Sequence, residues 1–309
     1  MKKTPKMQLK FLLFIFLLLI SSIPEIKAQS ETVMPDTTKR SIKHLIEGVK
    51  SKIEHERQEL AMSEEEIINY MDNLPPFSIY KDNYFITGIP LNKSIDGETA
   101  DAKFQVSFRH RLTRSRLPFD TFLYLTYTQK SFWDIYRESA PFRDSNYNPG
   151  IGLGRYIIVD NRLTGATFLQ LEHESNGRDS IESRSINWIG FSGKYFLTSN
   201  FAASFKITIP FMTDENNSDL YDYRGTGYFT ADYKTSDNKW WLTGTYSLRK
   251  SVKSINLKFS AGYKISERFN QYIFGEFYSG TGDSLLDYKR KDVQLRVGIG
   301  IKPDFYSVF

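Results

Sequence analysis

Three residues on two neighbouring segments have the types that acyl-transfer chemistry needs. His173 and Ser175 stand two apart in Gly165 to Ser175 (GATFLQLEHES), and Asn187 follows after a short spacer. A serine hydroxyl can attack an ester. An imidazole can take its proton as general base and later protonate the leaving group. An amide oxygen can accept from the second ring nitrogen and fix the tautomer, although a neutral group stabilises an imidazolium less than a carboxylate would. Neutrality also makes the amide less costly to place in apolar surroundings.

The elements that must position these residues read as β-strands. In Gly165 to Ser175, Leu169, Leu171, His173 and Ser175 share one face, against Phe168, Gln170, Glu172 and Glu174. In Ser185 to Leu197, Asn187, Ile189, Phe191, Tyr195 and Leu197 share a face. The same period of two runs through Lys103 to Leu112, Phe201 to Phe211, Ile255 to Ile265 and Val293 to Ile301. Turn signals such as Ser199-Asn200, Asp237-Asn238 and Ser266-Glu267 separate the segments. Counting them predicts about twelve strands of roughly ten residues, long enough to cross a bilayer when tilted. The expected fold is an all-β, antiparallel transmembrane barrel. Its apolar face meets lipid, so His173, Ser175 and Asn187 are expected on the outer wall. Residues i and i+2 on a strand lie about 6.5–7 Å apart, and cross-strand neighbours on one face about 5 Å. The trio can therefore converge. Each member alone also has an ordinary reading, as an interfacial histidine, a strand-end serine and a turn asparagine.

Composition agrees with export and a membrane. Lys2, Lys3, Lys6 and Lys10 precede the apolar run Phe11 to Ile20, with small Ser21, Ser22 and Ala28 after it. That pattern predicts a signal peptide over residues 1–28, cleaved after Ala28, with the mature chain starting near Gln29. The 309 residues contain no Cys, so no disulfide staples the exported chain. Aromatic residues make up 15%, with 19 Tyr and 24 Phe, as interfacial girdles would require. Net charge is +5, but the basic residues are dispersed, which argues against nucleic acid. The mean hydropathy of −0.42 does not exclude a membrane, because barrel strands alternate polar with apolar residues.

Residues 29–75 read as a periplasmic extension, helical or partly ordered, ahead of a barrel over residues 76–309. Ile42, Leu45, Ile46, Val49 and Ile53 recur at helical spacing. Ser63 and Glu66 form a capping-box signature for a second helix through Ile67, Ile68 and Met71, ended by Pro75 and Pro76. The chain ends on Phe309, and a terminal aromatic suits an outer-membrane barrel.

The string HESNGRDSIESRSIN, His173 to Asn187, resembles the signature of the outer membrane phospholipase A family. That pattern is a His, an acidic residue, Ser-Asn-Gly-Arg, a spacer, Ser-Arg-Ser and an Asn. Glu174 stands where the commonest family form has Asp. Tyr127 to Trp133 (YTQKSFW), Ser139 to Pro149 (SAPFRDSNYNP), Tyr278 to Tyr288 (YSGTGDSLLDY) and, more weakly, Pro76 to Phe85 (PFSIYKDNYF) match in the same order. The resemblance implies a twelve-stranded barrel of the bacterial outer membrane. It implies hydrolysis of phospholipid and lysophospholipid acyl esters, at sn-1 and sn-2, by a calcium-bound homodimer. His173, Ser175 and Asn187 would be its triad, and the Gly177 N–H its oxyanion donor. The Arg178 carbonyl and Ser183 hydroxyl would bind Ca2+, completed by a Ser139 carbonyl from the second subunit. The alternatives are an inactive barrel serving as a pore or adhesin, and a soluble secreted β-protein. A pore has no reason to keep His, Ser and Asn on its lipid face.

Overall fold

The computed structural model describes residues 63–249 and 255–309. The expected signal peptide over residues 1–28 and the helical spacing around Ile42 to Ile53 lie outside the described residues. Helix α1 (Glu64–Asn73) comes first. Thirteen strands follow: β1 (Phe77–Ile79), β2 (Asn83–Pro90), β3 (Asp101–Arg111), β4 (Thr121–Trp133), β5 (Phe142–Ile158), β6 (Leu163–Ser175), β7 (Ser185–Phe196), β8 (Phe201–Thr213), β9 (Gly227–Lys234), β10 (Trp240–Leu248), β11 (Ile255–Lys264), β12 (Tyr272–Gly280) and β13 (Asp292–Ile301). A short helix α2 (Leu220–Arg224) lies between β8 and β9.

Every neighbouring pair is antiparallel, and β2 pairs with both β13 and β3, which closes the sheet. Strands β2 to β13 are the twelve staves. The small β1 pairs with the far half of β3, Phe77 opposite His110 and Ile79 opposite Phe108. It therefore prolongs the β2 position beyond a break at Tyr80 to Asp82. Side chains cover that break: Asn83 Oδ1 accepts the Ser107 N–H at 2.6 Å, and the Lys81 N–H donates to Ser107 Oγ at 3.3 Å. Closure leaves no sheet edge, the condition for spanning a membrane with strands.

The alternation expected from sequence decides the two faces. Val106, Leu169, Leu171, Phe191, Ile207, Ile209 and Ile299 are exposed on the outer wall, and Ser107, Gln170, Glu172, Ser260 and Arg296 are buried inside. The interior is held by ion pairs. Lys103 Nζ lies 2.7 Å from Glu276 and 3.0 Å from Asp283, and Arg296 grips Asp101 at 2.7 and 2.9 Å.

Both mouths carry packed segments. At one, α1 opens with the capping box expected of Ser63 and Glu66. Its Ile67 and Met71 pack on Phe122, Tyr124, Tyr156 and Phe168. Arg111 clamps the helix end, donating to the carbonyls of Met71, Asp72 and Leu74. Phe309 turns into the lumen, its ring 4.9 Å from Phe168 and 5.2 Å from Tyr124, with the Arg109 guanidinium 3.9 Å over it. At the other mouth the β12–β13 loop folds inward. Ser284 Oγ donates to Asp144 at 2.6 Å, and Leu285 and Tyr288 pack on Ile186, Trp188 and Leu220.

Candidate active site

Strand β6 carries two of the three candidate residues. Leu169 and Leu171 are exposed, and His173 and Ser175 continue their face half-buried. On the inner face Glu172 and Glu174 flank the histidine and are buried. Glu172 is ion-paired with Lys206, and Glu174 with Arg224 at 2.8 Å. Those two cations also bracket the Trp188 ring, at 5.8 and 5.7 Å. The wall behind His173 is thus braced by two ion pairs and an indole.

Strand β7 brings the third residue. His173 and Asn187 are direct partners in the β6–β7 ladder. His173 Nδ1 lies 2.9 Å from Asn187 Oδ1. An amide oxygen can only accept, so the bond places the proton on Nδ1 and leaves Nε2 free to act as a base. Asn187 also sits at a bulge. Asn187 pairs with Met212 and Trp188 with Pro210, so Phe211 is the extra residue of β8. Bulges re-aim side chains, and here Phe211 and Met212 are both exposed beside Asn187. They extend the apolar collar of Leu171 and Ile189 around the polar pair.

Ser175 pairs with Ser185 on one side and Tyr147 on the other. Among the described residues no hydrogen bond joins Ser175 Oγ to the His173 ring. Their i, i+2 spacing on one face sets them about 6.5–7 Å apart along the strand, and catalytic bonds commonly tighten when substrate binds.

The loop after Ser175 is built around Asn176, which is buried. Its Oδ1 accepts from Arg178 N at 3.3 Å and Arg184 N at 3.0 Å, and its Nδ2 donates to the Glu182 carbonyl at 2.9 Å. Gly177 adopts φ +65°, where a side chain is disfavoured, and a Cβ there would stand 3.1 Å from the Tyr147 ring. The Gly177 N–H is without an acceptor among the described residues, one residue removed from Asn176 and two from Ser175.

The expected metal ligands fall in two places. Ser183 Oγ donates to Asp214 Oδ2 at 2.7 Å, and Arg178 anchors its own segment through a 2.5 Å bond to the Arg143 carbonyl. Ser139 lies in the β4–β5 loop, exposed, with φ +63°. It makes no bond to the Gly177–Ser183 loop among the described residues. Asp214 is the partner of Ser183 that sequence reading missed, since nothing in its spacing ties the two together. Its carboxyl is held below the ordinary range by the Asn216 N–H and then by the Ser183 hydroxyl. Among the described residues no three His, Asp or Glu side chains cluster as a metal site. The donors present are a hydroxyl, a carboxylate and free carbonyls, an all-oxygen set that suits a hard cation such as calcium.

The chain is similar to known proteins in sequence and in fold. The sequence model of the family described as Phospholipase A1 matches residues 50–302. Phospholipase A1 of Escherichia coli K12 is 32% identical over 207 residues, which cover 65% of this chain and 68% of that protein. Phospholipase A1 of Salmonella typhimurium is 30% identical over 216 residues, covering 68% and 72%. Among solved structures, outer membrane phospholipase A from Escherichia coli superposes with a TM-score of 0.66 at 26% identity, covering 76% of this chain and 97% of that one. The Salmonella typhi outer membrane phospholipase dimer with bound calcium gives 0.66 at 25% identity with the same coverage. A closed twelve-stave barrel with a His–Asn pair on its lipid face, matched over most of its length by these enzymes, belongs to the phospholipase A1 family of outer membrane phospholipases.

Proposed function

We propose that this phospholipase hydrolyses phospholipid and lysophospholipid acyl esters, at sn-1 and sn-2, through a Ser175–His173–Asn187 triad on the outer wall of a calcium-bound homodimer. The observation that carries the reading is the 2.9 Å bond between His173 and Asn187, bordered on the outer face by exposed Leu171, Ile189, Phe211 and Met212. Polar side chains on a lipid face cost free energy unless they are paired. A bond that also fixes a tautomer has a chemical use.

The steps follow from the residues. Ser175 Oγ attacks the acyl carbonyl as His173 Nε2 takes its proton. Asn187 keeps Nδ1 protonated and the ring oriented. The Gly177 N–H donates to the oxygen that gains charge. His173 returns the proton to the leaving glycerol oxygen, and water then releases the fatty acid with His173 again as base. Calcium, held by the Arg178 carbonyl, the Ser183 hydroxyl and nearby Asp214, would supply positive charge close to that oxygen. With few charged ligands the half-site would bind weakly, and the carbonyl of Ser139 of the partner subunit would complete it. Such splitting ties activity to dimerisation, which protects the host membrane from its own lipase. The solved Salmonella typhi dimer with bound calcium supports this part of the reading.

The test is fatty-acid release from phospholipid micelles, with calcium or with chelator, for the wild-type protein and Ser175→Ala. Release by wild type with calcium and none by S175A is expected. Equal release by both would overturn the triad, and chelator-insensitive release would overturn the calcium requirement alone.

A further inference from the structure

We infer that Asn148 is a positioning residue for His173, supplying the hydrogen-bond donor that Pro149 removes from the strand wall. The inference rests on the reading of His173 as general base.

The β5–β6 ladder pairs Gly150 with Glu172 and Tyr147 with Ser175, and pairs neither Asn148 nor Pro149. Counting between those two pairs puts Pro149 opposite His173. Proline has no N–H to give to a neighbouring strand, and within sheets it keeps to edges and bulges. A closed barrel has no edge. Pro149 therefore deprives the His173 carbonyl of its ladder partner, and a strand carbonyl left without a donor costs free energy. The side chain of the preceding residue fills the gap: Asn148 Nδ2 donates to the His173 carbonyl at 2.9 Å. Asn148 is 8% exposed and belongs to the inner face.

The arrangement bears on the catalytic pair in two ways. The His173 carbonyl points at β5, so across β7 the His173–Asn187 pair is of the non-hydrogen-bonded kind. Such partners sit closer, with Cα atoms about 4.5 Å apart instead of about 5.5 Å. That proximity lets Nδ1 reach Asn187 Oδ1. Pro149 itself is exposed on the same face as His173, on the flank away from Asn187. It offers the imidazole no competing acceptor there. The amide of Asn148 holds the backbone, while the pyrrolidine adds no polar group on its flank of the ring.

A double-mutant cycle of Asn148→Ala and Pro149→Ala separates positioning from folding. All variants are compared in micelles with calcium, and barrel folding is checked by heat-modifiable gel mobility. N148A is expected to lower kcat about 10–100-fold, the scale of a misplaced catalytic group, with KM within about twofold. P149A alone is expected to stay near wild type. In N148A/P149A the backbone N–H restored at position 149 can donate to the His173 carbonyl, so kcat is expected to recover to near the P149A value. If N148A does not fold, Asn148→Asp, which keeps the volume but removes the donor, carries the same expectation. An unchanged kcat in N148A, or a loss that P149A does not repair, would overturn the inference and leave the triad intact. Full activity in S175A would instead overturn the triad.

Discussion

His173 and Asn187 face one another across the β6–β7 ladder with Nδ1 and Oδ1 2.9 Å apart, on the side of the wall that meets lipid. The bond has a direct kinetic consequence. Asn187→Ala removes the acceptor that holds the Nδ1 proton and steadies the imidazolium. Hydrogen bonds to charged groups contribute about 1.5–3 kcal/mol, so kcat should fall at least about tenfold while KM changes little. Steady-state kinetics in micelles checks this, and a wild-type kcat would mean that the asparagine has no role in orienting the ring.

The calcium response should depend on Asp214. Its carboxyl is depressed by the Asn216 N–H and the Ser183 hydroxyl. A carboxylate held below its ordinary value stays ionised, and able to attract a cation, until the pH falls below that value. The contribution of Asp214 should therefore be constant from about pH 7 to about pH 5 and disappear below the ordinary carboxylate value of 3.8. Asp214→Asn should raise the calcium concentration for half-maximal activity about tenfold, since affinity in oxygen sites follows ligand charge. Calcium titrations of the two proteins across that range measure it. Identical titrations would remove Asp214 from the site.

Stability should depend on the interior ion network. Lys103 is buried between Glu276 and Asp283. Lys103→Met leaves two buried carboxylates short of a cation, and breaking such pairs costs about 3–5 kcal/mol. The lower end is expected, because Arg296 Nη1 stands 3.6 Å from Glu276 and can turn towards it. Urea unfolding followed by tryptophan fluorescence reads the change, and an unshifted midpoint would count against the network.

The assignment of faces can be tested at neighbouring positions. Phe191 is exposed on the outer wall and Ser192 belongs to the lumen lining. Phe191→Arg should destabilise the barrel in lipid by about 2–4 kcal/mol, and Ser192→Arg should do so by less. The reverse order, from folding titrations in liposomes, would mean that the faces are exchanged.

Much of this was legible in the sequence because the information is local and periodic. A period of two places His173 and Ser175 on one face from parity alone, and a short antiparallel return brings Asn187 beside them. The capping box of Ser63 and Glu66 is likewise an i, i+3 signal, and α1 begins there. What stayed hidden depends on long-range partners. Pro149 opposite His173, and Asn148 on its carbonyl, follow from a register that no local pattern states. Asp214 meets Ser183 only once β7 and β8 pair. A terminal Phe309 suits an outer-membrane barrel, but only the structure shows that its ring packs on Phe122, Tyr124 and Phe168 inside the lumen. A residue beyond the last strand has no face assigned by alternation. The packing of α1 inside the mouth, with Ile67 and Met71 buried, escaped for the same reason.

The most direct measurement of the central claim is covalent labelling of the nucleophile. An alkyl sulfonyl fluoride reacts when a serine Oγ attacks its sulfur, fluoride leaves and a neighbouring base takes the proton. Peptide mass spectrometry of the labelled wild-type protein should find one sulfonyl adduct, on Ser175, with fatty-acid release abolished in step. The His173→Ala protein should remain unlabelled. An adduct on another residue, or equal labelling of Ser175 without His173, would contradict the account.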